Sequence, residues 1–461
     1  MPELKLAQVR TEPLEYRPAA DYFSCIRTLE NPIWLDSGLD SGVSPASTGR
    51  FDILSAAPEN ILSLKRSSSL AQNDCSKLQP LRDALSVLRP VEPSEDIPFC
   101  GGLIGYLGYE TNHQEHNISA RTDIHTPQVC MGLYSWALIL DHLKKTAQLV
   151  FHPDCSEEKA AKITRCFSER NEASTSRNAE FTLLEPFRAS QSQAEYGEKV
   201  DRILEYLRAG DCYQVNLAQH FSAAYLGDCA DAYLQLRTLT PTPHGAYLGF
   251  DRQILSLSPE RFIQIREGLV ETWPIKGTAP RSENPAEDAQ LARQLSDSEK
   301  NRAENLMIVD LMRNDLSRCC KPGSIRVPGL YELHSFPTVH HLVSRVTGEL
   351  SPGQDSVSVL EHCLPGGSIT GAPKRRAMEI ISELESQDRG VYCGCIGYLS
   401  SCGSMDTNIA IRTLEADGER LNAWGGGGIV IDSDRDSEFQ ETLDKIRPLL
   451  RHMERGLNNQ F

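Results

Sequence analysis

The first 150 residues alternate short apolar runs with polar turns, as in RFDILSAAPENILSL and CMGLYSWALILDH. Half-buried strands leave this period-two pattern, so the region is predicted to be rich in β-strands. From about residue 153 to 190 the sequence turns polar, and SERNEASTSRN is its most linker-like stretch. The pattern therefore predicts a β-rich region over residues 1–152, a polar connecting segment over 153–190 and a third region over 191–455.

The third region mixes helical and strand-like patterns. In SQAEYGEKVDRILEYLRAGD, Val200, Ile203, Leu204 and Leu207 share one face, and Gly210 follows the last turn. KNRAENLMIVDLMRND and PKRRAMEIISELES are also predicted to be helices, whereas AYLGF, ILSLSPERFIQI, GCIGYLS and NIAIRTL are typical of strands. The sequence therefore predicts a chain with both helices and strands, without internal repeats.

Composition restricts the function classes. The 461 residues carry a formal net charge of −16, which excludes nucleic acid and anionic membranes as expected partners. An anionic substrate would need a local cluster of cations. Apolar runs stay shorter than the roughly eighteen residues of a membrane span, and the first residues lack the apolar core of a signal peptide. A cytoplasmic protein is expected, with its fourteen cysteines as reduced thiols.

The C-terminal stretch WGGGGIVIDSDRDSEFQETLDKIRPLL combines glycines with a charged helix face. Four consecutive glycines let backbone N–H groups approach a ligand closely. On a helical wheel, Glu438, Glu441 and Lys445 fall within roughly 60° of one another. They form either a solvated face with ion pairs or a face that binds a ligand. Pro448 predicts a break or kink near Arg447, because its ring clashes with the preceding turn.

A further carboxylate, Glu304, lies beside the apolar segment LMIVDLM. A carboxylate in such a place is costly to desolvate unless cations or hydrogen-bond donors meet it. Two or three glutamates without histidine or thiolate partners suit a hard cation, and Mg²⁺ that keeps several waters fits best. The sequence therefore predicts Mg²⁺ as a cofactor.

Three more polar residues interrupt strand-like sequence: Glu260 in LSPERF, Gln214 in GDCYQVNLAQ and Lys276 in WPIKGTAPR. Lys276 is predicted to lie where a strand runs into a tight turn. Taken singly, a surface glutamate at a strand end and a solvated turn lysine are the simpler interpretations. In TVHHLVSRV, one of His340 and His341 is predicted to face the core.

Taken together, these segments resemble the chorismate-utilising enzymes, a family of anthranilate, aminodeoxychorismate, isochorismate and salicylate synthases. The matching segments are GDCYQVNLAQ, SPERF, PIKGTAPR, AENLMIVDLMRND, HLVSRVTG, GSITGAPK, IGYLS, NIAIRT and GGGGIVIDSDRDSEFQET, in this order across residues 190–450. RFDILSAAPE and GGLIGYLGYE resemble the amino-terminal region of the same enzymes more loosely. The resemblance implies an α+β fold in which large antiparallel sheets pack as a sandwich with flanking helices.

Two positions distinguish reactions within the family. The position of Lys276 is typically alanine in anthranilate, isochorismate and salicylate synthases, and lysine there marks the branch that aminates carbon 4 of chorismate. The position of Gln214 is lysine in enzymes that activate water, and a glutamine amide cannot take up that proton. The resemblance therefore implies amination of chorismate by ammonia on the route to 4-aminobenzoate and folate. The alternatives are an anthranilate synthase or a non-catalytic paralogue that binds chorismate or an amino acid.

The resemblance also implies a role for individual residues. Lys276 would attack the ring and Glu260 would protonate the departing hydroxyl. The implied Mg²⁺ ligands are Glu304, Glu441 and Glu438. The implied substrate contacts are Arg412, Lys445, Tyr398, Thr278, Thr370, Gly371, His341, Gln214, Gly427 and Gly428. Because the sequence has no glutaminase nucleophile motif, ammonia is expected to come from a separate glutamine amidotransferase subunit.

Overall fold

The computed structural model describes residues 6–39, 49–65, 78–113, 118, 127–168, 181–336 and 339–455. The α-helices in these ranges are α1 (Ala19–Ile26), α2 (Gln79–Leu85), α3 (Glu157–Ser168), α4 (Gln193–Ala209), α5 (Cys229–Leu239), α6 (Pro285–Asp297), α7 (Glu299–Leu316), α8 (Ser356–Cys363), α9 (Lys374–Leu384) and α10 (Arg435–Glu454). The part of the chain described contains no helix long and apolar enough to cross a lipid bilayer.

The strands of the first half are β1 (Arg10–Leu14), β2 (Ile33–Asp36), β3 (Phe51–Ser55), β4 (Asn60–Leu64), β5 (Gly102–Leu107), β6 (Val129–Tyr134), β7 (Trp136–Asp141), β8 (Thr146–Phe151), β9 (Thr182–Leu183), β10 (Arg188–Ala189) and β11 (Gln214–Leu226). Those of the second half are β12 (His244–Gly249), β13 (Gln253–Ser258), β14 (Arg261–Arg266), β15 (Leu269–Thr272), β16 (Ile275–Pro280), β17 (Arg326–Ser335), β18 (Val339–Glu349), β19 (Gly371–Ala372), β20 (Cys395–Ser400), β21 (Met405–Ile409), β22 (Thr413–Ala416) and β23 (Arg420–Ile429).

These strands form two large sheets. The thirteen-stranded sheet has the order β1-β8-β7-β3-β2-β12-β13-β22-β23-β11-β10, with β9 and β19 also paired to β11. The ten-stranded sheet has the order β16-β18-β15-β14-β21-β20-β5-β6-β4, with β17 also paired to β18. All of these pairings are antiparallel. The α+β sandwich of large antiparallel sheets is thus confirmed.

The two sheets pack face to face, and helices cover their outer faces. Ile53, Ile139 and Leu248 of the larger sheet meet Ile104 and Ile396 of the smaller one in a buried cluster between the sheets. A second cluster joins α1, α3, α5 and α10 to the larger sheet. A third joins α4, α7, α8 and α9 to the smaller sheet and to β11. Each fully buried aliphatic side chain contributes roughly 1.5–3 kcal/mol to this packing.

The N-terminal region is built into the same two sheets as the rest of the chain. Strand β2 pairs with β12 in the larger sheet, and β5 pairs with β20 in the smaller one. Residues 1–152, the first region predicted, therefore do not pack independently of the rest of the chain. The polar segment over 153–190 also contributes α3, β9 and β10, and thus does more than connect.

Several helix ends follow the sequence rules, with one exception. The Ser192 side chain and Glu195 form a capping box at the start of α4, and Gly210 ends the helix with a φ of 81°. Of the break or kink expected near Arg447, a break is wrong, because α10 continues through Pro448 to Glu454. The last turns carry Ile446, Leu449, Leu450 and Met453, which are buried against the larger sheet. This packing offsets the hydrogen bond that the proline cannot make.

Candidate active site

Two polar residues lie where the chain passes from one sheet to the other. Glu260 separates β13 of the larger sheet from β14 of the smaller one, and Arg412 separates β21 of the smaller sheet from β22 of the larger one. Main-chain hydrogen bonds of 3.0 Å join the two crossings, from Ile409 N to Glu260 O and from Leu257 N to Arg412 O. Arg412 has a φ of 50°, which costs free energy in a residue with a side chain. The crossings therefore hold a carboxyl group and a guanidinium at one place in the sandwich.

Lys276 lies at an irregularity in β16 rather than at the tight turn predicted. The pairing of β16 with β18 shifts register between Ile275 and Thr278, so Lys276 and Gly277 form a bulge. Gly277 has a φ of 94°, a backbone conformation that residues with side chains rarely adopt. Bulges redirect side chains. Here the Lys276 ammonium donates a hydrogen bond of 3.0 Å to the main-chain oxygen of Ser368.

The surroundings of Lys276 and Glu260 shift the pKa of both groups. Burial lowers the pKa of Lys276, and the ammonium of Lys445 adds to this, while Glu260, Glu304 and Glu441 act in the opposite direction. Burial raises the pKa of Glu260 to about 6, against the effect of the Lys276 charge. An amine that loses its proton more easily and a carboxyl that keeps its proton longer suit a nucleophile and a general acid.

Arg412 brings an uncompensated positive charge to the site. Burial is the one cause of its lowered pKa, and no carboxylate in the described part of the chain offsets it. Its guanidinium also contributes to lowering the pKa of His341 to about 4, after the larger effect of burial. The neutral His341 ring lies 2.9 Å from the Thr278 hydroxyl through Nδ1. A half-buried guanidinium without a carboxylate partner is a site for an anion.

The glycine run is part of a strand, and helix α10 packs across it. Gly425–Gly428 belong to β23 and pair with β11. A side chain at Gly427 would lie 3.3 Å from Glu438 Oε2 and 3.4 Å from Glu441 Oε1, so both carboxylates face this glycine. Lys445 donates hydrogen bonds to Glu441 Oε1 at 2.6 Å and to the oxygen of Gly426 at 3.1 Å. The predicted face of α10 thus presents its three charged groups to the glycine strand.

The acidic residues fit a hard cation that keeps part of its water. Glu438 is 6% exposed, its Oε1 accepts a hydrogen bond from Ser433 and its Oε2 has no partner among the described residues. Burial raises its pKa, and the Glu441 charge adds to this. Glu304 lies on α7, within electrostatic range of Lys276. No group of three or more His, Cys, Asp or Glu residues converges closely enough to cage a metal in the described ranges. Mg²⁺ commonly uses only one or two carboxylates besides water and substrate.

Gln214 and the residues beside it lie where β11 pairs with β19. Gln214 is 1% exposed, and its Oε1 has no partner among the described residues. Its Nε2 occupies the space where a side chain at Gly428 would lie. Gly371 has a φ of 147°, and a side chain there would collide with the oxygen of Gln214. The Thr370 hydroxyl donates to the oxygen of Gly366 at 2.9 Å, so it stabilises the turn over Gly367–Ile369.

Tyr398 is the one predicted site residue that the structure places elsewhere. Side chains alternate along β20, so Tyr398 points with Ile396 into the space between the sheets, against Phe99. There it lines a separate cavity of about 260 Å³. The structure therefore does not bring Tyr398 together with the other predicted site residues. Tyr392, six residues earlier, has its hydroxyl 2.9 Å from where a side chain at Gly426 would begin.

Sequence reasoning also missed Ser368. Its main-chain oxygen accepts the hydrogen bond from Lys276, and its hydroxyl contributes to the electrostatics of Glu260. The stretch GSITGAPK contains Ser368 next to the predicted Thr370 and Gly371. A carbonyl acceptor leaves no mark in a sequence, because every residue has one.

Comparisons with known proteins identify the family of this chain. Residues 45–451 match the family described as chorismate binding enzyme. The chain is 44% identical to aminodeoxychorismate synthase component 1 of Klebsiella aerogenes over 454 residues, which cover 96% of this chain and 98% of that protein. It is 43% identical to the protein of the same name from Escherichia coli K12 over 428 residues, which cover 90% and 93%.

Among solved structures, anthranilate synthase component I from Streptococcus pneumoniae matches with a TM-score of 0.75 and 32% identity, over 88% of this chain and 93% of that one. The chain therefore belongs to the family of chorismate-binding enzymes. Within that family, the relatives at 44% and 43% identity are both named aminodeoxychorismate synthase component 1.

Proposed function

We propose that this chain aminates chorismate to 4-amino-4-deoxychorismate, with Lys276 as a covalent nucleophile. The observation that carries the proposal is the ammonium of Lys276 at a strand bulge, in a protein-enclosed site where burial lowers its pKa, with the buried Glu260 carboxyl nearby. A lysine that only stabilised a turn would remain solvated, with no reason to be near a buried carboxyl.

The substrate is a dicarboxylate, and the site offers separate cations for it. The uncompensated guanidinium of Arg412 and the ammonium of Lys445 would each hold a carboxylate. Oxygens of Gln214 and Glu438 are also buried without hydrogen-bond partners in the described part of the chain. Buried polar atoms in proteins normally have partners, so these atoms favour a polar ligand or ordered water in the site.

Mg²⁺ fits the acidic side of the same site. Glu304, Glu441 and Glu438 would hold it, because the Glu438 and Glu441 carboxylates face the same side of Gly427. When bound, Mg²⁺ would supply positive charge against the ring carboxylate of chorismate.

The residues divide the substitution into two steps. The neutral amine of Lys276 attacks carbon 2 of the ring, the double bonds shift, and the 4-hydroxyl leaves as water with the proton of Glu260. Ammonia then bonds to carbon 4, the double bonds shift back, and the bond between carbon 2 and Lys276 breaks with the electron pair returning to the amine. The Glu260 carboxylate takes the proton that the new ammonium group loses. Covalent catalysis thus replaces one difficult displacement by two easier ones.

Gln214 favours ammonia over water as the second nucleophile. Water needs a base to remove its proton, and an amide cannot serve as one near neutral pH. Ammonia reacts without such help. Two successive displacements also leave the enolpyruvyl group in place, which anthranilate formation would eliminate.

We also infer that ammonia reaches this chain from a separate glutamine amidotransferase subunit. The two relatives at 44% and 43% identity are named component 1, which implies a second component in those proteins. The sequence of this chain has no glutaminase nucleophile motif.

Product identification tests the proposal. The purified chain is incubated with chorismate, Mg²⁺ and an ammonium salt. The products are then separated by chromatography and identified by mass spectrometry. We expect 4-amino-4-deoxychorismate with its enolpyruvyl group retained. Anthranilate and pyruvate would instead assign the chain to the anthranilate-forming branch. Binding of chorismate without turnover would identify a non-catalytic paralogue.

A further inference from the structure

We propose that Arg389, which the reaction above does not use, is a positioning residue for the Lys276 nucleophile and acts through the main chain of the segment over residues 368–370. The inference rests on the proposed function, because it assigns Arg389 to the covalent step.

Arg389 is a buried cation whose guanidinium donates four hydrogen bonds. It is 1% exposed, and its Nε and Nη2 donate to the two carboxylate oxygens of Glu385 at 2.9 and 2.7 Å. Glu385 Oε1 also accepts from the amide of Ala218 at 2.8 Å. The guanidinium carbon lies 4.5 Å from the centre of the Tyr109 ring. The ion pair therefore fixes the plane of the guanidinium.

Two further N–H groups reach two segments that build the site. Nη1 donates to the oxygen of Ile369 at 2.9 Å, and Nη2 donates to the oxygen of Asn216 at 2.8 Å. Ile369 directly follows Ser368, whose oxygen accepts the hydrogen bond from Lys276. The amide of Asn216 in turn donates to the oxygen of Thr370 at 2.8 Å. One guanidinium thus holds the peptide next to the acceptor of the nucleophile and the strand that begins at Gln214.

Stability alone does not account for this arrangement. A buried ion pair costs desolvation that its attraction only partly offsets, and an apolar pair of similar size often stabilises as well. An apolar pair could not orient the carbonyl groups of two separate segments. Lysine could not do so either, because its three N–H groups radiate from a single atom. The geometry therefore accounts for an arginine at this position.

The test compares Arg389→Lys with wild-type protein. We expect kcat with ammonia to fall about 10- to 100-fold, the loss typical of a reacting group displaced by about 1 Å. The KM for chorismate should change little, because Arg412 and Lys445 do not contact Arg389. Mixing enzyme with chorismate in the absence of ammonia, followed by quenching and mass spectrometry, should show an adduct on Lys276 that forms more slowly but to the same final amount.

The final amount of adduct separates positioning from damage to the fold. A variant that was merely partly unfolded would form less adduct at the wild-type rate. Glu385→Gln is a second variant, which keeps Arg389 but weakens its anchor, and it should show a smaller fall in the same rate. Arg375→Lys is the matched control, because Arg375 on α9 is 60% exposed and forms an ion pair with Glu379, away from the segment over 368–370. Its rate should equal that of the wild type.

Folded Arg389→Lys or Glu385→Gln protein with a wild-type kcat and a wild-type rate of adduct formation would overturn the inference. Lys276→Ala is measured in parallel to keep the two proposals apart. If that variant turned over normally, or if the wild type formed no adduct, the covalent step itself would be refuted. The role of Arg389 would then be decided by the kinetics of Arg389→Lys. A fall in kcat with little change in KM would support positioning, and equal fold-changes in kcat and KM would reject it.

Discussion

Replacement of Glu260 by glutamine should stabilise the protein at neutral pH while it abolishes most of its activity. The carboxyl is 6% exposed and its Oε1 has no hydrogen-bond partner among the described residues. Burial raises its pKa from 4.5 to about 6. The folded protein therefore binds this proton more tightly than the unfolded chain does. The free energy of unfolding contains a favourable contribution from Glu260 below pH 4.5, and this contribution is lost as the pH rises through about 6.

The size of the effect follows from the shift. A difference of about 1.5 pKa units corresponds to roughly 2 kcal/mol between the two limits, of which about 1 kcal/mol falls between pH 5 and pH 8. Glutamine has nearly the same shape and no charge to desolvate. Glu260→Gln should therefore raise the free energy of unfolding by up to about 2 kcal/mol at pH 8, and by less at pH 5. Loss of a general acid should lower kcat by about 10²- to 10⁴-fold.

Urea unfolding at a series of pH values, without Mg²⁺ and without substrate, measures this effect. Wild type and Glu260→Gln are compared at each pH, and Glu283→Gln, at an exposed position, serves as the control. The difference between Glu260→Gln and wild type should grow as the pH rises from 5 to 8. A difference that stays constant with pH, or a variant less stable than wild type at pH 8, would refute the reasoning that Glu260 is a destabilising buried acid.

The other predictions concern the nucleophile, the metal, the anion site and the partner. Lys276→Ala should still bind chorismate but make product orders of magnitude more slowly and form no adduct; a near wild-type rate would leave Lys276 as a positioning cation only. Glu304→Gln and Glu441→Gln should lose most of their activity or require far more Mg²⁺, whereas Asp444→Asn, on α10 like Glu441, should not. Unchanged Mg²⁺ titrations in both glutamate variants would reject these ligands. Arg412→Ala should raise the KM for chorismate, because it removes a guanidinium proposed to hold a carboxylate, and an unchanged KM would contradict the anion site. The purified chain should use ammonium salts and gain glutamine-dependent activity only with an added amidotransferase; efficient use of glutamine by the chain alone would contradict the partner.

Much of the secondary structure could be predicted from local patterns, whereas the joining of the two sheets could not. Apolar spacing predicted α4, α7 and α9, and alternation predicted the many strands before residue 152. Local patterns carry no signal for the pairing of β5 with β20, because the pairing partners lie almost three hundred positions apart in the sequence. The resemblance to a known family supplied the sandwich instead.

The site shows the same division. Motifs identified Lys276, Glu260 and Arg412, which the structure brings to one region through a bulge and two sheet crossings. Tyr398 lies apart from them because the alternation of side chains along β20 sends it into the space between the sheets. Arg389 could not be identified from the sequence, since its part in the site depends on carbonyl groups of distant segments.

The shared sheets have a consequence for how the polypeptide is made. During synthesis β5 leaves the ribosome long before β20, its neighbour in the smaller sheet, so part of that sheet must wait for nearly the whole chain. In the larger sheet, β2 likewise waits for β12. Unpaired strand edges invite association with other chains. We therefore expect a fragment over 191–455 made alone to aggregate, and a fragment over 1–190 supplied in trans to restore solubility by completing both sheets.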